Sequence, residues 1–97
     1  MSQNEIILKL REKHRELVEQ YHVKALFLFG SQARDESGPD SDIDLLVEFF
    51  QPIGLFQFIE LQQMLESHLG CRIDLGTKHS LKPHLADRVL EEAVRIL

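Results

Sequence analysis

The sequence has 97 residues, of which 43% are hydrophobic and 28% are charged, and its formal net charge is -5. We expect one small globular domain over residues 1–97, and the acidic balance argues against direct binding to a nucleic acid. Cys71 is the only cysteine, which argues against a disulfide framework. No apolar run approaches about 18 residues and no signal peptide is evident, so we expect a cytoplasmic protein without membrane contact.

The chain begins with a helical pattern. Apolar residues recur at the helical period from residue 3 to residue 21, which predicts one amphipathic helix over residues 3–21. Ser2 and Glu5 have the spacing of a capping box at the start of this helix. His14 lies on the apolar stripe, where we expect it to be partly buried as a packing residue and not to bind a ligand.

Two strands are predicted on either side of a polar loop. A continuous apolar run predicts a first strand over residues 23–29, buried on both faces of a sheet. Residues 31–36 follow as a short helix or turn. Alternation of residue type then predicts a second strand over residues 42–49.

The second strand carries two acidic residues on one face. Asp42 and Asp44 share that face with Leu46 and Glu48. Buried without a partner, each carboxylate would cost several kcal/mol. A divalent cation compensates them most directly, because residues two apart on a strand lie about 6.5–7 Å apart and point the same way. A solvated acidic loop is the alternative interpretation of this stretch.

The rest of the chain predicts two more helices and a third strand. A helix is expected over residues 55–69, ended by Gly70 in a left-handed cap. Residues 71–75 predict a strand, and residues 83–97 a last helix that begins at a proline. The order of elements predicts an α/β fold in which helices pack on a three-stranded sheet. On the helix over residues 55–69, the residues expected to point inward are Leu55, Phe58, Ile59, Leu61, Leu65 and Leu69.

A third carboxylate and a phosphate-binding turn complete the predicted site. Asp74 lies on the polar parity of the third strand, and it joins the acidic pair if its strand is the neighbour of the second. The alternative is an exposed Asp74 paired with Arg72. Gly30 and Ser31 end the first strand where a helix begins, so free backbone N–H groups there favour phosphate. Three acids beside such a turn suit two-metal phosphoryl transfer.

These motifs resemble a known signature. The segments Gly30-Ser31, Ala33-Arg34 and Ser41–Leu45 are similar to the motif of the nucleotidyltransferase superfamily that includes DNA polymerase beta. Length and element order resemble its minimal nucleotidyltransferase branch, and the resemblance covers nearly the whole chain. Asp35 departs from the small residue or glycine that the family often has there, and it adds negative charge near the phosphate turn.

The resemblance implies a fold and roles for individual residues. The expected fold is the small nucleotidyltransferase fold, with a three-stranded mixed sheet packed with helices. Asp42 and Asp44 would hold two Mg²⁺ ions, and Asp74 would complete the site and accept a proton from the attacking hydroxyl. Ser41 would cap the turn that aims Asp42. The residues expected to form the nucleotide-binding site are Gly30, Ser31, Arg34 and Ser41. For Ser41 a plain turn role, and for Arg34 an ion pair with a loop acid, stay open.

The same resemblance implies a partner and a reaction. Members of this branch are typically encoded beside a helical HEPN-domain toxin and act as its antitoxin, so a hetero-oligomer is expected. The implied reaction transfers AMP from ATP to a hydroxyl, a tyrosine in particular, of the HEPN ribonuclease. The alternatives are a non-catalytic antitoxin that neutralises its partner by binding, a small-molecule nucleotidyltransferase, and, third, a nucleotide-sensing regulator.

Apolar residues also indicate a contact surface. Four phenylalanines surround the chain break at Pro52, and one or two of them are expected to form an exposed patch for a partner. The apolar C-terminal residues Ile96 and Leu97 are expected to contribute to the same unfinished surface. The four phenylalanines are Phe49, Phe50, Phe56 and Phe58.

Overall fold

A computed structural model describes residues 2–29, 43–77 and 91–97. Within these residues no helix is both long enough and apolar enough to cross a membrane. The α/β class predicted from the sequence is confirmed. The elements, in chain order, are α1 (Gln3–Arg11), α2 (His14–Tyr21), β1 (Val23–Phe29), β2 (Ile43–Phe49), α3 (Leu55–Leu69), β3 (Ile73–Thr77) and β4 (Val94–Arg95).

The N-terminal region forms two helices, so the prediction of one helix was wrong. Its start is confirmed, because the Ser2 hydroxyl accepts a hydrogen bond from the Glu5 N–H at 3.2 Å. At the break, the Lys13 N–H donates to the Leu10 carbonyl at 3.1 Å, a turn tighter than an α-helix. No apolar residue lies between Leu10 and Leu17 to hold this turn against the core. His14 is therefore exposed, not partly buried as predicted.

The sheet has four strands in the order β3-β2-β1-β4, one more than predicted. β1 is antiparallel to both of its neighbours, and β3 is parallel to β2, so the sheet is mixed as expected. The additional strand is β4, which has only two residues. Val94 lies opposite Leu28, and Arg95 lies opposite Phe27.

The predicted last helix was therefore wrong at its C-terminal end. Glu91 and Glu92 are helical, whereas residues 83–90 lie outside the described part of the chain. Beyond them, the Ile96 N–H donates to the Leu26 carbonyl at 2.7 Å. Without this segment the outer edge of β1 would leave backbone groups unpaired, and pairing them outweighs continuation of the helix. Ile96 is only 4% exposed, so it belongs to the core and not to an open surface as predicted.

The described helices pack on one face of the sheet, where the main core lies. The prediction for α3 is confirmed at Leu61, Leu65 and Leu69, which are buried, whereas Leu55 and Ile59 are exposed. Leu46 is fully buried but does not belong to the main core cluster, because it points to the other face of β2. The cluster includes Ile6, Leu10, Leu17, Tyr21, Leu26, Leu28, Ile43, Leu45, Val47, Leu61, Leu65, Leu69, Ile73, Leu75 and Ile96.

Candidate active site

Two of the three predicted acidic residues lie side by side in the sheet. In the parallel pairing of β2 with β3, Asp44 is directly opposite Asp74. Residues opposite each other on neighbouring strands lie about 4.8 Å apart and project from the same face. Asp44 is partly buried and Asp74 is exposed. The structure therefore brings together two carboxylates that are far apart in the sequence, on the face opposite the described helices.

The end of β1 lies beside this acidic pair. Phe29, the last residue of β1, is opposite Asp44 in the antiparallel pairing with β2. Gly30 follows it directly in the sequence. The carboxyl end of β1 and the amino ends of β2 and β3 thus meet at one end of the sheet.

The remaining predicted site residues lie outside the described residues. Their proposed roles in metal and nucleotide binding stay predictions. These residues are Gly30, Ser31, Arg34, Ser41 and Asp42.

The acidic pair fits a hard divalent cation. Mg²⁺ binds oxygen ligands and typically uses one or two protein carboxylates together with substrate phosphates. Asp44 and Asp74 supply two such carboxylates, and no group of three or more potential ligands occurs within residues 2–29, 43–77 and 91–97. Asp74 is exposed, as in the alternative interpretation, but none of the ion pairs within the described residues joins it to Arg72.

Two polar side chains beside Asp74 were missed by the sequence analysis. Gln62 and Glu66 of α3 both hydrogen-bond the backbone of Ile73, the residue before Asp74. Their only signal in the sequence is a spacing of four residues next to the inward-facing Leu61 and Leu65. Such polar pairs are common on helix surfaces, so the pattern alone does not identify a contact with a strand.

Comparison with known proteins defines the family. The nucleotidyltransferase domain family model matches residues 7–96. The chain is 45% identical over 82 residues to protein adenylyltransferase MntA of Thermococcus cleftensis, covering 84% of this chain and 83% of the relative. The structure of a candidate minimal nucleotidyltransferase superposes with a TM-score of 0.81 at 36% identity, over 97% of this chain and 95% of that chain.

A solved toxin–antitoxin complex, MntA–HepT, contains a chain of the same fold. It matches with a TM-score of 0.62 at 25% identity, over 98% of this chain and 68% of that chain. From these matches, the chain belongs to the nucleotidyltransferase domain family, and it has the minimal nucleotidyltransferase fold. The family and the enzyme class predicted from the sequence, a nucleotidyltransferase, are confirmed.

Proposed function

We propose that this chain is the antitoxin of a toxin–antitoxin pair and that it transfers AMP from ATP to a hydroxyl, a tyrosine in particular, of a HEPN ribonuclease toxin. The observation that carries this proposal is the pairing of Asp44 with Asp74 next to the end of β1. Two relatives support it: the Thermococcus cleftensis protein is named a protein adenylyltransferase, and MntA occurs in a complex with HepT.

The proposed reaction is an in-line displacement at phosphorus. The acceptor oxygen forms a bond to the α-phosphorus of ATP, the bond from that phosphorus to the bridging oxygen breaks, and pyrophosphate leaves with the electron pair. Asp74 accepts the hydroxyl proton, and together with Asp42 and Asp44 it would hold two Mg²⁺ ions. When bound, these ions neutralise charge on the phosphates. The nucleotide-binding site would be formed by Gly30, Ser31, Arg34 and Ser41.

The acidic pair favours catalysis over binding alone. Like charges directly opposite each other on neighbouring strands are destabilising. Asp44 and Asp74 have this relation, so the contact of the two carboxylates with each other adds nothing to the stability of the fold. A chemical role explains it, whereas an antitoxin that neutralises its partner by binding gains nothing from it.

The proposed docking surface for the toxin is an apolar patch at the start of α3, formed by Leu55, Phe56 and Ile59 and called the α3 patch below. These side chains are 71%, 87% and 42% exposed. Residues three and four apart on a helix are neighbours on its surface, so the three form one continuous patch. Exposed apolar patches mark interaction sites, and the MntA–HepT complex indicates the kind of partner.

Transfer to the partner is tested with radiolabelled ATP, Mg²⁺ and the co-expressed product of the neighbouring reading frame. We expect label on that protein, and we expect Asp44→Asn to reduce labelling at least about 100-fold, since even outer-shell partners of a metal contribute 10–100-fold. Glu48→Gln is the matched control, because Glu48 lies on the same face of the same strand.

The outcomes separate the candidate functions. Label on a low-mass product would favour the small-molecule alternative. A stable complex without label in any fraction would favour the non-catalytic antitoxin. Full labelling by Asp44→Asn would remove the acidic pair from the mechanism.

A further inference from the structure

β3 is an edge strand, and its outer side is held by a helix. Within residues 2–29, 43–77 and 91–97, the only strand hydrogen-bonded to it is β2, on one side. On that side the Arg72 carbonyl accepts from the Ile43 N–H at 3.0 Å. Because backbone groups of successive residues in a strand point to alternate sides, the N–H and carbonyl of Ile73 point away from β2. An edge strand normally leaves such groups to solvent.

Two side chains of α3 bind both of these outward groups. The Gln62 Nε2 donates to the Ile73 carbonyl at 3.0 Å, and the Ile73 N–H donates to the Glu66 Oε2 at 3.2 Å. Both side chains are partly buried, and they lie one helical turn apart on the same face of α3. The fully buried Leu61 and Leu65 fix this helix against the core. The outer edge of β3 is therefore hydrogen-bonded to α3 at Ile73.

That residue controls the backbone of Asp74. The Ile73 carbonyl and the Asp74 N–H belong to the same planar peptide unit. The hydrogen bond from Gln62 to this carbonyl therefore fixes the orientation of the peptide plane that precedes the Cα atom of Asp74. On the other side, the register with β2 places Asp74 opposite Asp44. The direction of the Asp74 Cα–Cβ bond, which carries the carboxylate, is thus defined from both edges of its strand.

We propose that Gln62 and Glu66 are positioning residues for Asp74. They touch neither substrate nor metal, and they act by holding the peptide that carries this carboxylate opposite Asp44. The inference rests on the proposed function, because it requires Asp74 to be a metal ligand. Its consequence is that hydrogen bonding from α3 sets the metal affinity of the site.

Four variants of the full chain test the proposal. Gln62→Met removes the donor, and Glu66→Met removes the acceptor, each at nearly constant side-chain length. Glu66→Gln keeps an acceptor oxygen and is the conservative rescue. Gln63→Met is the matched control, because Gln63 is exposed on the same helix.

The first measurement is made without metal or nucleotide. Amide hydrogen exchange of Ile73 by NMR reports the bond to Glu66 directly. We expect exchange at Ile73 to rise at least about tenfold in Glu66→Met, the effect of losing a bond worth about 1.4 kcal/mol. Glu66→Gln and Gln63→Met are expected to match wild type. Unchanged exchange in Glu66→Met would overturn the proposal at its structural step.

The second measurement is metal binding without turnover, with Mn²⁺ and a non-hydrolysable ATP analogue followed by electron paramagnetic resonance. We expect Gln62→Met and Glu66→Met each to weaken Mn²⁺ binding about 10–100-fold, the range for outer-shell partners, and Glu66→Gln to restore it. Asp74→Asn introduced into Glu66→Met should add less than it costs alone, since both changes act on the same carboxylate.

The outcomes distinguish this inference from the proposed function. Wild-type Mn²⁺ affinity in both methionine variants, with affinity lost in Asp74→Asn, would overturn the positioning role and leave the proposed function standing. Wild-type affinity in Asp74→Asn would overturn the role of Asp74 and the positioning role with it. Weakened Mn²⁺ binding that Glu66→Gln restores supports the proposal.

Discussion

Tyr21 illustrates how the environment of one residue is set by packing. It is the only tyrosine of the chain, and its side chain is only 2% exposed in the core. Burial, and next the negative charge of Glu60 and of Glu16, raise the pKa of its hydroxyl above the ordinary value of about 10. Each effect disfavours the tyrosinate form in the folded state.

The raised pKa predicts a loss of stability in alkali. As the pH rises above about 10, the unfolded chain releases the tyrosine proton more readily than the folded chain, so the free energy of unfolding falls. The stabilisation is fully present below the unfolded value and is lost as the pH rises through the folded value. Tyr21→Phe should lack this part of the alkaline decline. Urea unfolding of wild type and Tyr21→Phe at several pH values at and above about 10 measures this part of the decline. Because both proteins have the same lysines, the effect of lysine titration cancels in the difference.

Ultraviolet absorbance gives an independent reading of the same group. With one tyrosine and no tryptophan, the tyrosinate signal comes from Tyr21 alone. Ionisation at the ordinary pKa in the folded protein would contradict the assigned burial effect.

At the scale of elements, two helices end on left-handed residues. α2 ends at His22 with φ 59°, and α3 ends at Gly70 with φ 72°. In both, the N–H of the capping residue donates to a carbonyl of its own helix, that of Leu17 in α2 and that of Glu66 in α3. The sequence predicted the second of these ends, because glycine adopts this conformation without a Cβ penalty, whereas a histidine is not a specific signal for it.

Gly70→Ala should destabilise the domain by about 1–2 kcal/mol, the strain of a Cβ in the left-handed region. A clash with the rest of the fold adds nothing to this cost, because a Cβ at Gly70 would meet no atom of the described residues beyond its chain neighbours within 4 Å. Gly70→Asn should lose less, since asparagine tolerates this conformation. Urea unfolding compares the three proteins. An alanine variant as stable as wild type would show that the helix end shifts to another residue.

At the scale of the whole molecule, α3 has three roles. Its buried leucines contact the core, its polar side chains Gln62 and Glu66 hold β3, and its first turns expose the α3 patch. The ring of Phe58 packs edge-on against Phe49 at 6.3 Å between centroids, so of the four phenylalanines near Pro52 only Phe50 and Phe56 are largely exposed. This agrees with the one or two exposed rings that the sequence predicted.

The α3 patch predicts the effect of surface variants on the complex. Phe56→Ala should weaken binding of the co-expressed partner about 30-fold, corresponding to a hot spot of about 2 kcal/mol, and should change the free energy of unfolding by less than about 0.5 kcal/mol. Leu8→Ala is the control, because Leu8 is an equally apolar residue on α1 that is 62% exposed. Titration calorimetry measures both. Equal weakening, or none, in the two variants would place the interface elsewhere.

Local patterns determined much of this protein. The bounds of β1 and α3, and the shared face of Asp44 with its neighbours in β2, follow from periodicity and from cap residues that act within a few positions along the chain. The motif after β1 and the motif Ser41–Leu45, at their spacing, were together sufficient to predict the family. These features depend on residues close together in sequence, so the sequence alone indicates them.

Tertiary structure decided what depends on distant partners. The short strand β4 forms because the edge of β1 needs hydrogen-bond partners, although the sequence of residues 83–97 has a helical pattern. The register of β3 against β2 places Asp74 opposite Asp44, and a shift of one residue would move Asp74 to the other face. The contacts of Gln62 and Glu66 with β3 likewise exist only once α3 packs on the sheet, because pairing and packing energies are summed over the whole fold and no single segment encodes them.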